Sequence, residues 1–320
     1  MPSIRQPRYI RSDAPRILLT RPTALNSLYL IVYRAYVALK KRVIDPVFRR
    51  WPQGQARFNN AKDFVKRSAL PSRTAWVQVQ SGFALGLWMR LRIPEEAGFW
   101  RGEHEPEVQI AISAMVHPGD IVYDVGAHLG SLALGAARLV GPSGRVVAFD
   151  GDPDNVERLR ENSVRNHLGS CIQAVHAAVW SHQSASGISF RRGKSEASQG
   201  GVESDGQRPV LANGEIISVP VTTLDDFVAA GGSVPHLVKI DVEGGEYEVL
   251  RGGSTLFANH RPQIVVEVHH QGAADKIAAW LDEFRYSAKW RIPAENFPRY
   301  LIAWPVEHAP PALPSSEAAQ

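Results

Sequence analysis

Cysteine is almost missing from this 320-residue chain: Cys171 stands alone, so no internal disulfide can form. The fold therefore does not depend on an oxidising compartment. Gly169, Ser170 and Ile172 beside it supply no base to activate a thiol, so Cys171 reads as a plain buried side chain. Long apolar runs are missing too, and no stretch reaches the roughly 18 to 20 residues of a membrane-spanning helix. The nearest, Leu28 to Leu39, is broken by Arg34 and followed by Lys40, Lys41 and Arg42, which suits an interfacial helix or one packed on the body. That run starts late and no small-residue cleavage pattern follows it, which argues against a secretory signal peptide. No internal repeat is found. With 44% hydrophobic and 21% charged residues, the composition excludes disordered and fibrous classes.

Acidic residues are scarce in one place only. The first 75 residues hold 16 Lys or Arg against 3 Asp or Glu, a net +13, whereas the rest hold 20 against 29, a net −9. The chain thus reads as a basic, partly helical extension over 1–75 on a mildly acidic body. Such an arm suits an anionic surface, with lipid head groups preferred to nucleic acid, or else it is simply a solvated extension. The expected location is cytoplasmic, with peripheral membrane contact through the arm.

The body is expected to be one domain over 76–305. Its lead-in, 76–118, combines a small β-hairpin region (Trp76 to Ile93) with a helix over Glu105 to Val116, bracketed by Pro106 and Pro118. From 119 to 305 short apolar strands alternate with helical segments. The strands are Ile121 to Val125, Arg145 to Phe149, Ile172 to Val179, Leu237 to Ile240 and Gln263 to Val268. Helices are expected at Leu129 to Val140, Pro153 to Asn166, Thr223 to Ala230, Gly245 to Arg251 and Ala273 to Phe284. Right-handed βαβ crossovers make a doubly wound, mostly parallel α/β sheet of the Rossmann type the natural outcome. Residues 191–215, rich in Gly, Ser, Gln and charge, read as a mobile insertion that could lid the substrate, and 306–320, with Pro310, Pro311 and Pro314, as a disordered tail.

Ligands in open α/β sheets gather at the carboxyl ends of the strands. The first such end is Asp124, Val125, Gly126, Ala127, His128, Leu129, Gly130, a strand-to-helix turn with glycine where the backbone passes close to a neighbour. A dinucleotide fingerprint needs glycine at position 128, and His128 stands there, so the turn fits a methionine tail better than a diphosphate. The second strand delivers Asp150, about 20 residues on, where a carboxylate would accept both hydroxyls of a ribose; the alternative is a charge at the start of the helix at Pro153. The third strand ends at His176, Ala177, Ala178, Val179, where small residues leave room for a flat base; the alternative is ordinary core. Asp241 and Glu243 follow the fourth strand and could orient an acceptor hydroxyl, take its proton or hold a divalent cation; the alternative is helix capping. The fifth ends at Glu267, Val268, His269, with His269 as candidate general base beside Glu267, or as a structural hydrogen-bonding group.

With these pieces assembled, the chain resembles the FkbM-type methyltransferases. The matching text is DIVYDVGAHLG (Asp120 to Gly130), VVAFDGDP (Val146 to Pro153), VTTLDDF (Val221 to Phe227), LVKIDVEGGEYEVL (Leu237 to Leu250) and RPQIVVEVH (Arg261 to His269). The resemblance spans about residues 75–290 and implies methyl transfer from S-adenosyl-L-methionine to a hydroxyl of a sugar, polyketide or related metabolite. Under it Asp124, Gly126, Ala127, His128, Gly130, Asp150 and Ala178 face the cofactor, and Asp241, Glu243, Glu267 and His269 face the acceptor. One departure stands out: the family usually has Glu-Pro after the second strand, where this chain has Asp150 and Gly151. The rival classes are a nicotinamide-dependent oxidoreductase, against which His128 argues, and a catalytically silent, membrane-associated scaffold of the same fold.

Overall fold

Near-continuous apolar runs let each central strand serve two cores, one on each face, and that division organises the molecule. In the computed structural model residues 73–192, 201–202, 215–291 and 297–313 are described, together with 31, 34, 35, 38 and 42. Most of the expected helix at 28–39, most of the 191–215 insertion and residues 314–320 lie outside them.

The first strands among the described residues are an antiparallel pair, β1 (Arg73–Gln78) and β2 (Trp88–Ile93), and β1 begins inside the stretch expected to be extension. Helices α1 (Ala97–Arg101) and α2 (Pro106–Met115) lead to β3 (Ile121–Val125). Then come α3 (Ser131–Val140), β4 (Arg145–Asp150), α4 (Pro153–Arg165) and β5 (Ile172–His176). The expected third strand does not run unbroken to Val179. It leaves the sheet after His176, and β6 (Ala178–Val179) pairs instead with β10 (Val221–Thr222).

Between them, β7 (Ile188–Arg191), β8 (Gly201–Val202) and β9 (Ile216–Val219) form a small antiparallel sheet. The chain continues through α5 (Leu224–Ala229), β11 (Leu237–Ile240), α6 (Glu246–Arg251), α7 (Ser254–His260), β12 (Gln263–Val268), α8 (Gln271–Glu283), β13 (Tyr286–Trp290) and β14 (Arg299–Pro305). The central sheet has the order β13-β14-β12-β11-β3-β4-β5, with β14 antiparallel to both neighbours and the other pairs parallel. It is the expected doubly wound α/β fold. Helix α7 and the β13–β14 edge are additions to that expectation.

On one face Val122, Val146, Ala148, Leu237, Val265 and Ile302 pack under the β1–β2 pair and α1 to α3. On the other Tyr123, Val147, Phe149, Val238, Ile264 and Val266 pack under α6 to α8. Fully burying one such large side chain is worth about 1.5–3 kcal/mol, so the apolar rows can offset polar residues elsewhere in the same strands. Those residues are Asp124, Lys239 and Glu267, all buried and all at alternation positions that belong to the first face.

Candidate active site

The turn after β3 is shaped by three residues in the left-handed region: Gly126 at φ 79°, His128 at 50° and Gly130 at 81°. Gly126 is required for a second reason. A Cβ there would lie 1.7 Å from the carbonyl oxygen of Asp241, so the close approach is to the loop after β11. A Cβ on Gly130 would lie 2.8 Å from Leu159, which makes that glycine a packing device between α3 and α4.

Behind this turn opens a cleft of about 770 Å³, its open mouth included. Gly126, Ala127, His128, Asp150, Ala178, Asp241 and Glu243 line it, seven of the eleven residues expected at the site. Asp124 and Gly130 lie beneath the turn, and Glu267 and His269 stand behind Asp241, outside the lining.

Asp150 sits at the end of β4. Its carboxylate accepts from the amide of His128 at 2.7 Å, the amide of Asp152 at 2.8 Å and Asn155 Nδ2 at 3.3 Å. Burial raises its pKa to about 6 against the pull of those amides. Helix α4 is capped by Asp152, whose side chain accepts from Asp154 N, so Asp150 is free of the capping role. Next to it, a Cβ on Gly151 would lie 2.6 Å from the Phe190 ring. The departure from Glu-Pro thus makes room for an aromatic side chain that also lines the cleft. The ring of His128 lies 5.3 Å from that of Phe99, and burial pushes its pKa down to about 3, so it is neutral.

The other wall is a buried charge cluster. Lys239 Nζ lies 3.4 Å from Asp124 Oδ1 and 3.4 Å from Asp241 Oδ2, and donates to the Gly126 carbonyl at 3.1 Å. Burial opposes its charge, but Asp241, Asp124, Glu105 and Glu267 outweigh that and hold the ammonium well above its ordinary pKa. Glu105, at the start of α2, lines the cleft; burial would raise its pKa, but Lys239 and His104 hold it near 2. Burial lifts Asp241 to about 6 and Glu267 to about 8.

His269 Nε2 faces Glu243 Oε2 at 3.4 Å and Asp241 Oδ1 at 3.6 Å, while Nδ1 lies 2.8 Å from Glu246 Oε1. Burial opposes its charged form, but Glu243, Glu246 and Asp241 outweigh it and raise the pKa to about 11. Neither Asp241 nor Glu243 caps a helix, since α6 starts after Gly245 without a side-chain cap. The adjacent His270 does cap α8, with Nδ1 accepting from Ala273 N at 3.0 Å.

Lys239, Glu105, Glu246 and Phe190 carry this geometry without having been assigned roles from sequence. Lys239 could have been found as a charge inside an apolar strand run. Glu105, Glu246 and Phe190 carry no local signal.

Residues 124–288 match the family described as the methyltransferase FkbM domain. Over 232 residues the chain is 24% identical to the hexuronic acid methyltransferase AglP of Haloferax volcanii, covering 71% of this chain and 88% of that protein. Over 188 residues it is 30% identical to the 31-O-demethyl-FK506 methyltransferase FkbM of Streptomyces tacrolimicus, covering 52% and 72%. The crystal structure of a methyltransferase FkbM from Methylobacillus flagellatus is similar over 58% of this chain and 43% of its own, with 16% identity and a TM-score of 0.43.

Proposed function

Because this chain belongs to the FkbM methyltransferase family, we propose that it moves a methyl group from S-adenosylmethionine to a hydroxyl oxygen of a sugar, polyketide or related metabolite. The observation that carries the reading is the Asp150 carboxylate, buried at the mouth of the glycine turn and aimed by the His128 and Asp152 amides. Oδ2 accepts from the His128 amide alone and keeps a lone pair for a ribose hydroxyl, while Oδ1 already accepts from Asp152 N and the longer 3.3 Å contact of Asn155 Nδ2, the one a ribose hydroxyl would displace. An oxygen acceptor is favoured by the relative named for 31-O-demethyl-FK506, and a sugar by the relative named for a hexuronic acid.

The residues suit S-adenosylmethionine. Asp124 is buried beside Lys239 under the turn, the cradle at Gly126 admits no side chain, and Ala177 and Ala178 keep the far end open. Bound there, the cofactor supplies a methyl carbon activated by a sulfonium. Transfer would break the carbon–sulfur bond as the oxygen–carbon bond forms, leaving the electron pair on sulfur.

The protein's part is alignment and charge. Asp150, with the His128 amide fixing it, holds the ribose end, Ala178 borders the base, and Asp124 with Lys239 sets the charge under the turn beside Gly126, Ala127 and Gly130. Asp241 and Glu243 form the wall where the acceptor hydroxyl gives up its proton, and Glu267 and His269 tune that wall from behind.

Calorimetric titration with S-adenosylhomocysteine tests the reading. Micromolar binding is expected, weakened at least tenfold, about 1.4 kcal/mol, in Asp150→Ala. No binding to the unaltered protein would sink it and leave the scaffold reading in its place.

A further inference from the structure

The charge cluster is unbalanced in a way that methyl transfer alone does not require. Glu105, Asp124, Asp241, Glu243, Glu246 and Glu267 converge on one corner, and among the described residues its ion pairs involve one lysine, Lys239, with His269 and His104. Among the described residues Asp241 Oδ1 and Glu267 Oε2 have no hydrogen-bond partner, Asp241 Oδ1 having only the longer 3.6 Å ion pair with His269 Nε2, although both residues are more than nine-tenths buried. Leaving such oxygens unmatched is costly unless something else meets them.

We propose that Asp241, Glu267 and His269 form a binding site for a divalent cation of the magnesium–manganese class. One donor atom from each lies within 4.8 Å of the others, close enough to surround one ion. Two carboxylates and one imidazole make a mostly oxygen donor set, which suits manganese or magnesium better than a softer metal.

The backing of His269 is that of a metal ligand. Glu246, fully buried, holds Nδ1 at 2.8 Å and is itself held by the Gly244 amide at 2.7 Å. A carboxylate fixing one ring nitrogen sets the tautomer and presents the other nitrogen to the ion. That other nitrogen, Nε2, is the one facing Asp241 Oδ1 and Glu243. Sheet register explains the rest of the set. Ile240 lies opposite Val266, so the position after it, Asp241, falls beside Glu267, and Glu267 faces Tyr300 of β14.

The ion's use rests on the methyl-transfer reading above. Asp241 borders the cleft, so a cation on it would take the acceptor hydroxyl oxygen as a further ligand and lower its pKa. That proton would leave to solvent, and the oxygen would take the methyl carbon as its bond to the sulfonium sulfur breaks, the electron pair staying on sulfur.

The test uses full-length protein stripped with a chelator and titrated with Mn²⁺, free ion being followed by its paramagnetic resonance signal. S-adenosylhomocysteine binding is measured on the same metal-free samples. The expected result is one Mn²⁺ per chain at micromolar affinity, weakened at least tenfold by Asp241→Asn or Glu267→Gln. Glu246→Gln, which touches no ion, is expected to weaken it by about tenfold through His269, with S-adenosylhomocysteine affinity intact as proof of folding. Failure of the unaltered protein to bind Mn²⁺ stoichiometrically, or binding indifferent to all three substitutions, overturns the site. Cofactor binding without Mn²⁺ binding rejects the cation and leaves methyl transfer standing; Mn²⁺ binding without cofactor binding does the reverse.

Discussion

Asp150 shows how one side chain's surroundings set its chemistry. Its native pKa of about 6 lies above the ordinary carboxylate range because burial outweighs the amides that hydrogen-bond it. A ribose diol is accepted by the ionised form, so ligand and proton compete. S-adenosylhomocysteine affinity is therefore expected to be level above about pH 7 and to fall as pH drops through about 6, approaching a tenfold loss per unit. Calorimetry across pH 5 to 8 measures it, and Asp150→Asn should abolish the inflection; the same slope in both proteins would mean another group titrates. For stability the sign is opposite. A carboxyl whose folded pKa is raised stabilises the fold fully below its unfolded value near 4, and that contribution is lost as pH rises through about 6.

At the scale of elements, the site is held in register by a clamp on the lead-in. Arg158 of α4 donates to Glu96 Oε1 at 2.8 Å, to Glu96 Oε2 at 2.5 Å and to the Arg90 carbonyl at 2.6 Å. It thereby ties α4 to β2 and to the start of α1, with Glu96 only 3% exposed. Removing one partner of a buried pair leaves the other charge uncompensated, which costs about 3–5 kcal/mol. Arg158→Ala should lower the unfolding free energy in urea by that amount, and Glu96→Gln with Arg158→Met should recover most of it. A loss under about 1 kcal/mol would mean the pair is solvated.

The whole molecule is electrically divided, with net +13 in the first 75 residues and −9 in the remainder. No helix among the described residues is long and apolar enough to cross a membrane. We propose that the basic stretch contacts an anionic lipid surface, where each Lys or Arg would contribute about 1 kcal/mol. Replacing Lys40, Lys41 and Arg42 by Ala in the full chain should weaken sedimentation with phosphatidylserine vesicles by about a hundredfold. S-adenosylhomocysteine binding should not change. Equal binding by both proteins would assign the arm another role.

The sequence by itself determined the doubly wound fold, because strand alternation and the glycine turn are local patterns that few architectures satisfy. It also located Asp150, Asp241 and Glu243, since strand ends in such sheets converge on one crevice and all three follow an apolar run. Helix α7, the departure of β6 from the sheet and the β13–β14 edge were hidden, because each depends on which distant segment offers a partner. Gly151 read only as a departure from Glu-Pro, and its reason, the Phe190 ring packed against it, lies nearly 40 residues away. From the sequence Lys239 has no assigned role, and Glu267 reads only as the neighbour of His269 on the acceptor side. Only sheet register, a property of paired chains rather than of any one stretch, stacked Asp124, Lys239, Asp241 and Glu267 on one face and let Glu105 and His269 close over them.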